Sequence, residues 1–172
     1  MNNFQHIGTF DYKIVLNEVV ANPIWNWLNL RQYAGHGKDI VLRYQSVETN
    51  LHPMDLYSVR ECVDFFSQSM FPKTMQLIKE TFPDEEIGRI VIANLAPGEE
   101  VKPHRDEGLY SDTTDRYHFV VTTNPDVVST SGDEQLHMSR GDIYWFNNHI
   151  EHSVKNTGTT NRIHLIVDLY HG

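Results

Sequence analysis

The chain has 172 residues, a formal net charge of −9 with histidines neutral, and one cysteine, Cys62. The acidic balance argues against a nucleic-acid phosphate or an anionic membrane as the main partner. A lone cysteine excludes an intrachain disulfide and any zinc or iron–sulfur site built from thiolates. No apolar run approaches the ~20 residues of a membrane helix, and Met1–Gln5 has neither a basic segment nor an apolar core. The expectation is therefore a cytoplasmic protein, with residues 1–172 forming one domain. Ten histidines in so small a chain call for an explanation.

In chain order, residues 10–21 hold the apolar stretch Ile14-Val15-Leu16 and predict a strand running into a short helix. Trp25, Trp27, Leu28 and Leu30 follow Pro23, and residues 39–44, with Ile40-Val41-Leu42, predict a strand. Ser58 with Glu61 three residues later, then Val59, Val63, Phe66 and Met70, predicts a helix that would also carry Cys62 as inert packing. Pro72 predicts the first turn of a second helix, bearing Met75, Leu77, Ile78 and Phe82. These helices are expected to cover a sheet.

From residue 88 the texture becomes β-rich. Runs at 89–95, 100–103, 116–123, 127–131, 135–138, 142–147, 151–155 and 162–170 are separated by turn residues such as Pro97-Gly98, Asn124-Pro125 and Gly132-Asp133. Eight short strands predict a mainly β fold: a jelly-roll core, or double-stranded β-helix, over 88–172, with a helical and mixed support over 1–87.

Side chains alternate across a strand, so parity assigns faces. In the last run Ile163, Leu165 and Val167 share one face, and Arg162, His164 and Ile166 the other. The run at 116 repeats this, with Tyr117, Phe119 and Val121 opposite Arg116, His118 and Val120. A buried arginine needs a partner. One such strand reads as a structural ion pair with an aspartate such as Asp168 or Asp106; two in one core point to an anion-binding pocket.

His104 and Asp106 have equal parity, ~7 Å apart along the backbone, and can converge on one metal ion. His152 shares inward parity with Ile150 and Val154, whereas His149 reads as a loop residue. A His-x-Asp followed by a distant His is the ligand set of the two-histidine-one-carboxylate facial triad of non-haem iron(II).

Together, His104-x-Asp106, Arg116-x-His118, His152 and Arg162 resemble the Fe(II)- and 2-oxoglutarate-dependent oxygenases, most closely the aspartyl/asparaginyl β-hydroxylase family. The resemblance covers 88–170, densest at Leu95-Ala96-Pro97-Gly98 through Asp106, at Arg116-Tyr117-His118, and from Gly141-Asp142 to Arg162. Residues 1–87 match loosely, partly through Leu51-His52-Pro53. It implies that His104, Asp106 and His152 ligate Fe(II). It further implies that Arg162, with Arg116 and His118, binds 2-oxoglutarate, and that O2 is the oxidant. Animal members that hydroxylate Asp or Asn in epidermal-growth-factor-like domains have glycine where Asp106 stands. This chain keeps the carboxylate, as relatives that act on small molecules tend to. The substrate implied is a free amino acid, proline-like, or an Asp/Asn-type residue of a protein, with succinate and CO2 released.

Residues 107–115 read equally as a substrate lid and as an ordinary loop. Tyr110, Tyr144, Trp145, Trp25 and Trp27 read as core aromatics. Two rival functions remain at this point: a cupin-type metal isomerase or lyase without 2-oxoglutarate, and a non-catalytic jelly-roll binding protein.

Overall fold

Every residue of the strand Arg162–Tyr170 is buried, which a segment achieves only at the centre of a sheet covered on both faces. A computed structural model describes residues 3–25, 38–45 and 61–171. In chain order the strands are β1 (Phe4–Thr9), β2 (Lys38–Gln45), β3 (Cys62–Asp64), β4 (Ile87–Leu95), β5 (Glu100–His104), β6 (Thr114–Thr122), β7 (Val127–Ser131), β8 (Glu134–Leu136), β9 (Asp142–Phe146), β10 (His152–Asn156) and β11 (Arg162–Tyr170). The helices are α1 (Lys13–Ala21), α2 (Pro72–Thr81) and the single turn α3 (Leu109–Asp112).

The strands form a seven-stranded sheet, β1-β9-β6-β11-β4-β2-β3, and a four-stranded sheet, β5-β10-β7-β8, with antiparallel pairing throughout. All eight runs predicted from residue 88 onward appear as strands β4–β11, and the mainly β jelly-roll expectation holds. The parity assignment holds as well. Ile163, Leu165, Val167, Phe119 and Val121 join Ile40, Ile90 and Ile92 in one large core. Val15 and Val19 of α1, Ile78 of α2 and Phe71 close that core from outside, so α2 covers the sheet as expected of it and α1 is the second helix of that layer. The opposite face of the large sheet builds a smaller cluster of Phe4, Val120, Met138, Tyr144 and Phe146, against which Leu136 of the small sheet packs. The site lies on this second face.

The two helices are tied to each other by Glu18. Its carboxylate accepts the Lys73 and Thr74 backbone N–H groups, each at 2.9 Å, and the Thr74 hydroxyl at 2.8 Å. It thereby satisfies donors that the first turn of α2 would otherwise leave without partners.

Two expectations need correction. The helix predicted from Ser58 is replaced, over its described part, by strand β3 and a 3-10 turn at Phe66–Met70. Cys62 is buried as expected, but on that strand. Edge pairing wins over periodicity here: Cys62 lies opposite Gln45, and Asp64 opposite Arg43 with an ion pair at 2.7 Å. The strand expected near Phe10 lies earlier, at Phe4–Thr9, where Phe4 lies opposite Phe146 and Gln5 opposite Trp145 of β9, and Ile14-Val15-Leu16 belong to α1. Ser58, Val59, Trp27, Leu28, Leu30 and Leu51-His52-Pro53 lie outside the described residues. Among the described residues no helix is long and apolar enough to cross a membrane.

Candidate active site

His104 ends β5 and His152 begins β10, and the two are directly opposed across that antiparallel pair. Their ring centroids are 4.2 Å apart. Each ring is oriented in the same way: His104 Nδ1 is 2.8 Å from the Lys102 carbonyl, and His152 Nδ1 is 2.9 Å from the Ile150 carbonyl. A carbonyl only accepts, so Nδ1 carries a proton in each ring, and Nε2 is the nitrogen left to ligate a metal. Both Nε2 atoms face one oxygen of Asp106, Oδ1, at 3.5 Å from His104 and 3.9 Å from His152. The three ligating atoms lie within 4.8 Å of one another. Two imidazole nitrogens and a carboxylate oxygen, with no thiolate, are the donors of an open facial site.

Asp106 follows β5 by two residues, and its backbone N–H reaches the Asn148 carbonyl at 3.2 Å in the β9–β10 turn. Its second oxygen, Oδ2, accepts from Arg116 Nη1 and, at 3.4 Å, from Asn148 Nδ2. Burial alone would raise this carboxyl, but Arg116 above all, with the two histidines, holds it well below the usual carboxylate range. Asp106 lifts the His104 imidazole above its ordinary value, whereas burial pushes His152 down.

Arg116 and His118 stand on one face of β6, as parity required. Arg116 resolves the ion-pair expectation with both aspartates at once: its Nε and Nη2 grip Asp168 at 2.8 and 2.9 Å while Nη1 holds Asp106. On neighbouring β11, buried Arg162 places Nη2 3.5 Å from His118 Nδ1, and that nitrogen is 3.1 Å from His164 Nδ1. Phe146 connects this cluster to the triad, its ring 5.3 Å from His118 and 4.8 Å from His152. The structure thus brings all six predicted site residues into one connected cluster, with His104 and His152 from the small sheet and Arg116, His118 and Arg162 from the large one. His149 lies in a turn and exposed, as predicted.

Two participants escaped sequence reasoning, and a third, His164, was placed on the Arg162 face without a role. Asn148 lies in a turn, where Asn has ready local explanations. Tyr110 was assigned to the core and is buried, but its hydroxyl donates to Asp168 at 3.2 Å and accepts the Arg89 N–H at 2.6 Å. His164 repeats the Arg-x-His pattern, and that repetition is the signal that could have assigned it to the cluster.

Residues 24–172 match the family model described as aspartyl/asparaginyl beta-hydroxylase. An L-proline cis-4-hydroxylase of Rhizobium meliloti (strain 1021) is 27% identical over 97 residues, 56% of this chain and 35% of the relative, so the match spans about a third of that protein's length. An oxidoreductase of the 2OG-Fe(II) oxygenase family from Burkholderia pseudomallei superposes with a TM-score of 0.63 at 9% identity, over 98% of this chain and 84% of the other. A Pseudomonas putida prolyl-4-hydroxylase gives 0.57 at 12% identity, over 100% and 94%. These structural likenesses carry the fold; the family model, which takes in nearly all of the chain beyond α1, carries the kinship. With both in hand, the chain belongs to the aspartyl/asparaginyl β-hydroxylase family of oxidoreductases.

Proposed function

We propose that this chain is an Fe(II)- and 2-oxoglutarate-dependent dioxygenase that hydroxylates a free amino acid of the proline-like kind. The observation that carries the reading is the convergence of His104 Nε2 and His152 Nε2 on Asp106 Oδ1, with each ring's Nδ1 held by a backbone carbonyl. The proline-like substrate is supported by the activity named for the Rhizobium relative and by the carboxylate at position 106. Hydroxylation of an Asp or Asn residue in a protein is the second reading, favoured by the family's description.

In this reading His104, Asp106 and His152 would hold Fe(II). Bound there with 2-oxoglutarate and O2, the iron supplies oxidative decarboxylation to succinate and CO2 coupled to hydroxylation of a C–H bond. The chain's own residues bind and orient. Arg162 pairs with the distal carboxylate of 2-oxoglutarate through its planar fork, which suits a carboxylate better than a lysine ammonium does. His118, beside Arg162, and Arg116, on the same face of β6, complete the cosubstrate contacts. Three of Arg116's five N–H groups are engaged by the aspartates, and the others remain for the cosubstrate. Phe146 and Val120 form an apolar wall that keeps water from the charged groups and strengthens their interactions.

Anaerobic addition of Fe(II) and 2-oxoglutarate should give the visible charge-transfer band of the chelated complex. Proline, other free amino acids and peptides are then screened for substrate-coupled succinate release. A cupin-type isomerase or lyase, or a non-catalytic jelly roll, gives no such band, and its absence would overturn the proposal.

A further inference from the structure

We propose that Asp168 is a positioning residue for the metal ligand Asp106, acting through Arg116. The inference rests on the metal reading of the triad given above and goes beyond it. Asp168 and Arg116 are opposed across β11 and β6, and the Asp168 side chain is 1% exposed. Two parallel hydrogen bonds, from Nε and Nη2, clamp one edge of the guanidinium onto the two Asp168 oxygens. Because the guanidinium is planar and rigid, fixing that edge fixes where Nη1 points. Nη1 points at Asp106 Oδ2. Asp106 is thereby divided: Oδ2 is committed to Arg116 and Asn148, and Oδ1 alone faces the two imidazoles. The site offers a metal one carboxylate oxygen in a set orientation instead of a freely rotating pair.

Asp168 is held in turn. Tyr110 donates its hydroxyl hydrogen to Asp168 Oδ2, and its ring carries the Arg89 guanidinium 3.9 Å above its centroid. Tyr110 sits in α3, within the loop 107–115 that leads from Asp106 to β6. The loop is therefore anchored to the same carboxylate that orients the ligand, and Gly108, at φ 97°, lets the chain turn into α3. Charged groups that orient a metal ligand from behind commonly change metal affinity 10- to 100-fold when removed.

The test uses Co(II) alone as the probe, titrated into the metal-free full chain and read by its affinity and visible d–d spectrum. Folding of each variant is checked by circular dichroism. Asp168→Asn keeps the shape but cannot accept both guanidinium bonds. It should weaken Co(II) binding about 10- to 100-fold and alter the spectrum. In an Asp106→Ala background the same change should leave Co(II) affinity within about twofold, because no carboxylate is left to orient. Wild-type affinity and spectrum in folded Asp168→Asn would overturn the proposal, as would equal weakening with and without Asp106. If Asp168→Asn does not fold, Arg116→Lys serves: it keeps the charge but cannot bridge two aspartates, and wild-type Co(II) binding there overturns the proposal equally. Failure of the wild-type chain to bind Co(II) would reject the metal reading itself, and this role with it; intact wild-type binding with no Asp168 effect rejects the positioning role alone.

Discussion

His104 and His152 are cross-strand partners whose rings each return Nδ1 to a backbone carbonyl two residues earlier in the chain, leaving both Nε2 atoms turned toward Asp106. The backbone carbonyls take the Nδ1 proton in both rings, which leaves Nε2 as the nitrogen that can ligate a metal. Either histidine replaced by alanine removes one of the three proposed ligands without disturbing a hydrophobic cluster. His104→Ala is expected to abolish substrate-dependent succinate release while circular dichroism and the unfolding midpoint stay near wild type. Unchanged turnover would reject the metal assignment.

Arg162 is 4% exposed and lies beside His118, whose ring in turn meets His164. If Arg162 binds 2-oxoglutarate as proposed, truncating it to leucine removes a charge-assisted, buried contact to a carboxylate, a loss of about 2–4 kcal/mol. Isothermal titration of 2-oxoglutarate into the Mn(II)-loaded chain should show that weakening, with metal affinity retained. Equal cosubstrate affinity in wild type and Arg162→Leu would remove Arg162 from the cosubstrate site.

Much of this site was legible because period-2 alternation survives in strands buried on both faces: Arg116 with His118, and Arg162 with His164, interrupt an apolar face where charge is costly. The strands from β4 to β11 were legible for the same reason, with glycine, proline and asparagine marking their ends. Residues 61–71 were not. Val63, Phe66 and Met70 satisfy a helical spacing, but pairing with β2 is a long-range event that local periodicity does not encode. The Asp168–Arg116–Asp106 chain was half legible. Sequence offered both aspartates as alternative partners of an arginine, and only the register Asp168↔Arg116 shows that the fork reaches both.

Glu18 offers a test of the helical layer that leaves the site untouched. Its carboxylate serves two backbone donors and one hydroxyl at the start of α2, and Thr74 is fully buried. In Glu18→Ala the Thr74 donors lose their partner in a place water does not reach, at a cost of about 1–3 kcal/mol. Urea unfolding should show a lower midpoint at unchanged slope, with Co(II) affinity as in wild type. A midpoint equal to wild type would mean that the α2 terminus is satisfied in some other way.

The His164 imidazole sets a pH dependence of stability with a definite sign. Burial first, and then the Arg162 charge and the neighbouring His118 and His137, push its pKa well below the ordinary 6.5. Between that depressed value and 6.5 the unfolded chain binds a proton at this position and the folded chain does not. Stability therefore rises with pH across the window and is lost as pH falls below about 6.5, by up to about 1.4 kcal/mol per pH unit for this one group. His152, also depressed by burial, adds to the trend in the metal-free chain, and His104, raised by Asp106, opposes it. Comparing wild type with His164→Gln cancels both of those contributions. Urea midpoints of the metal-free chain measured from pH 7 to pH 5 should fall more steeply for wild type than for the variant. Parallel curves would show that His164 takes up its proton as readily folded as unfolded, contrary to its burial beside Arg162.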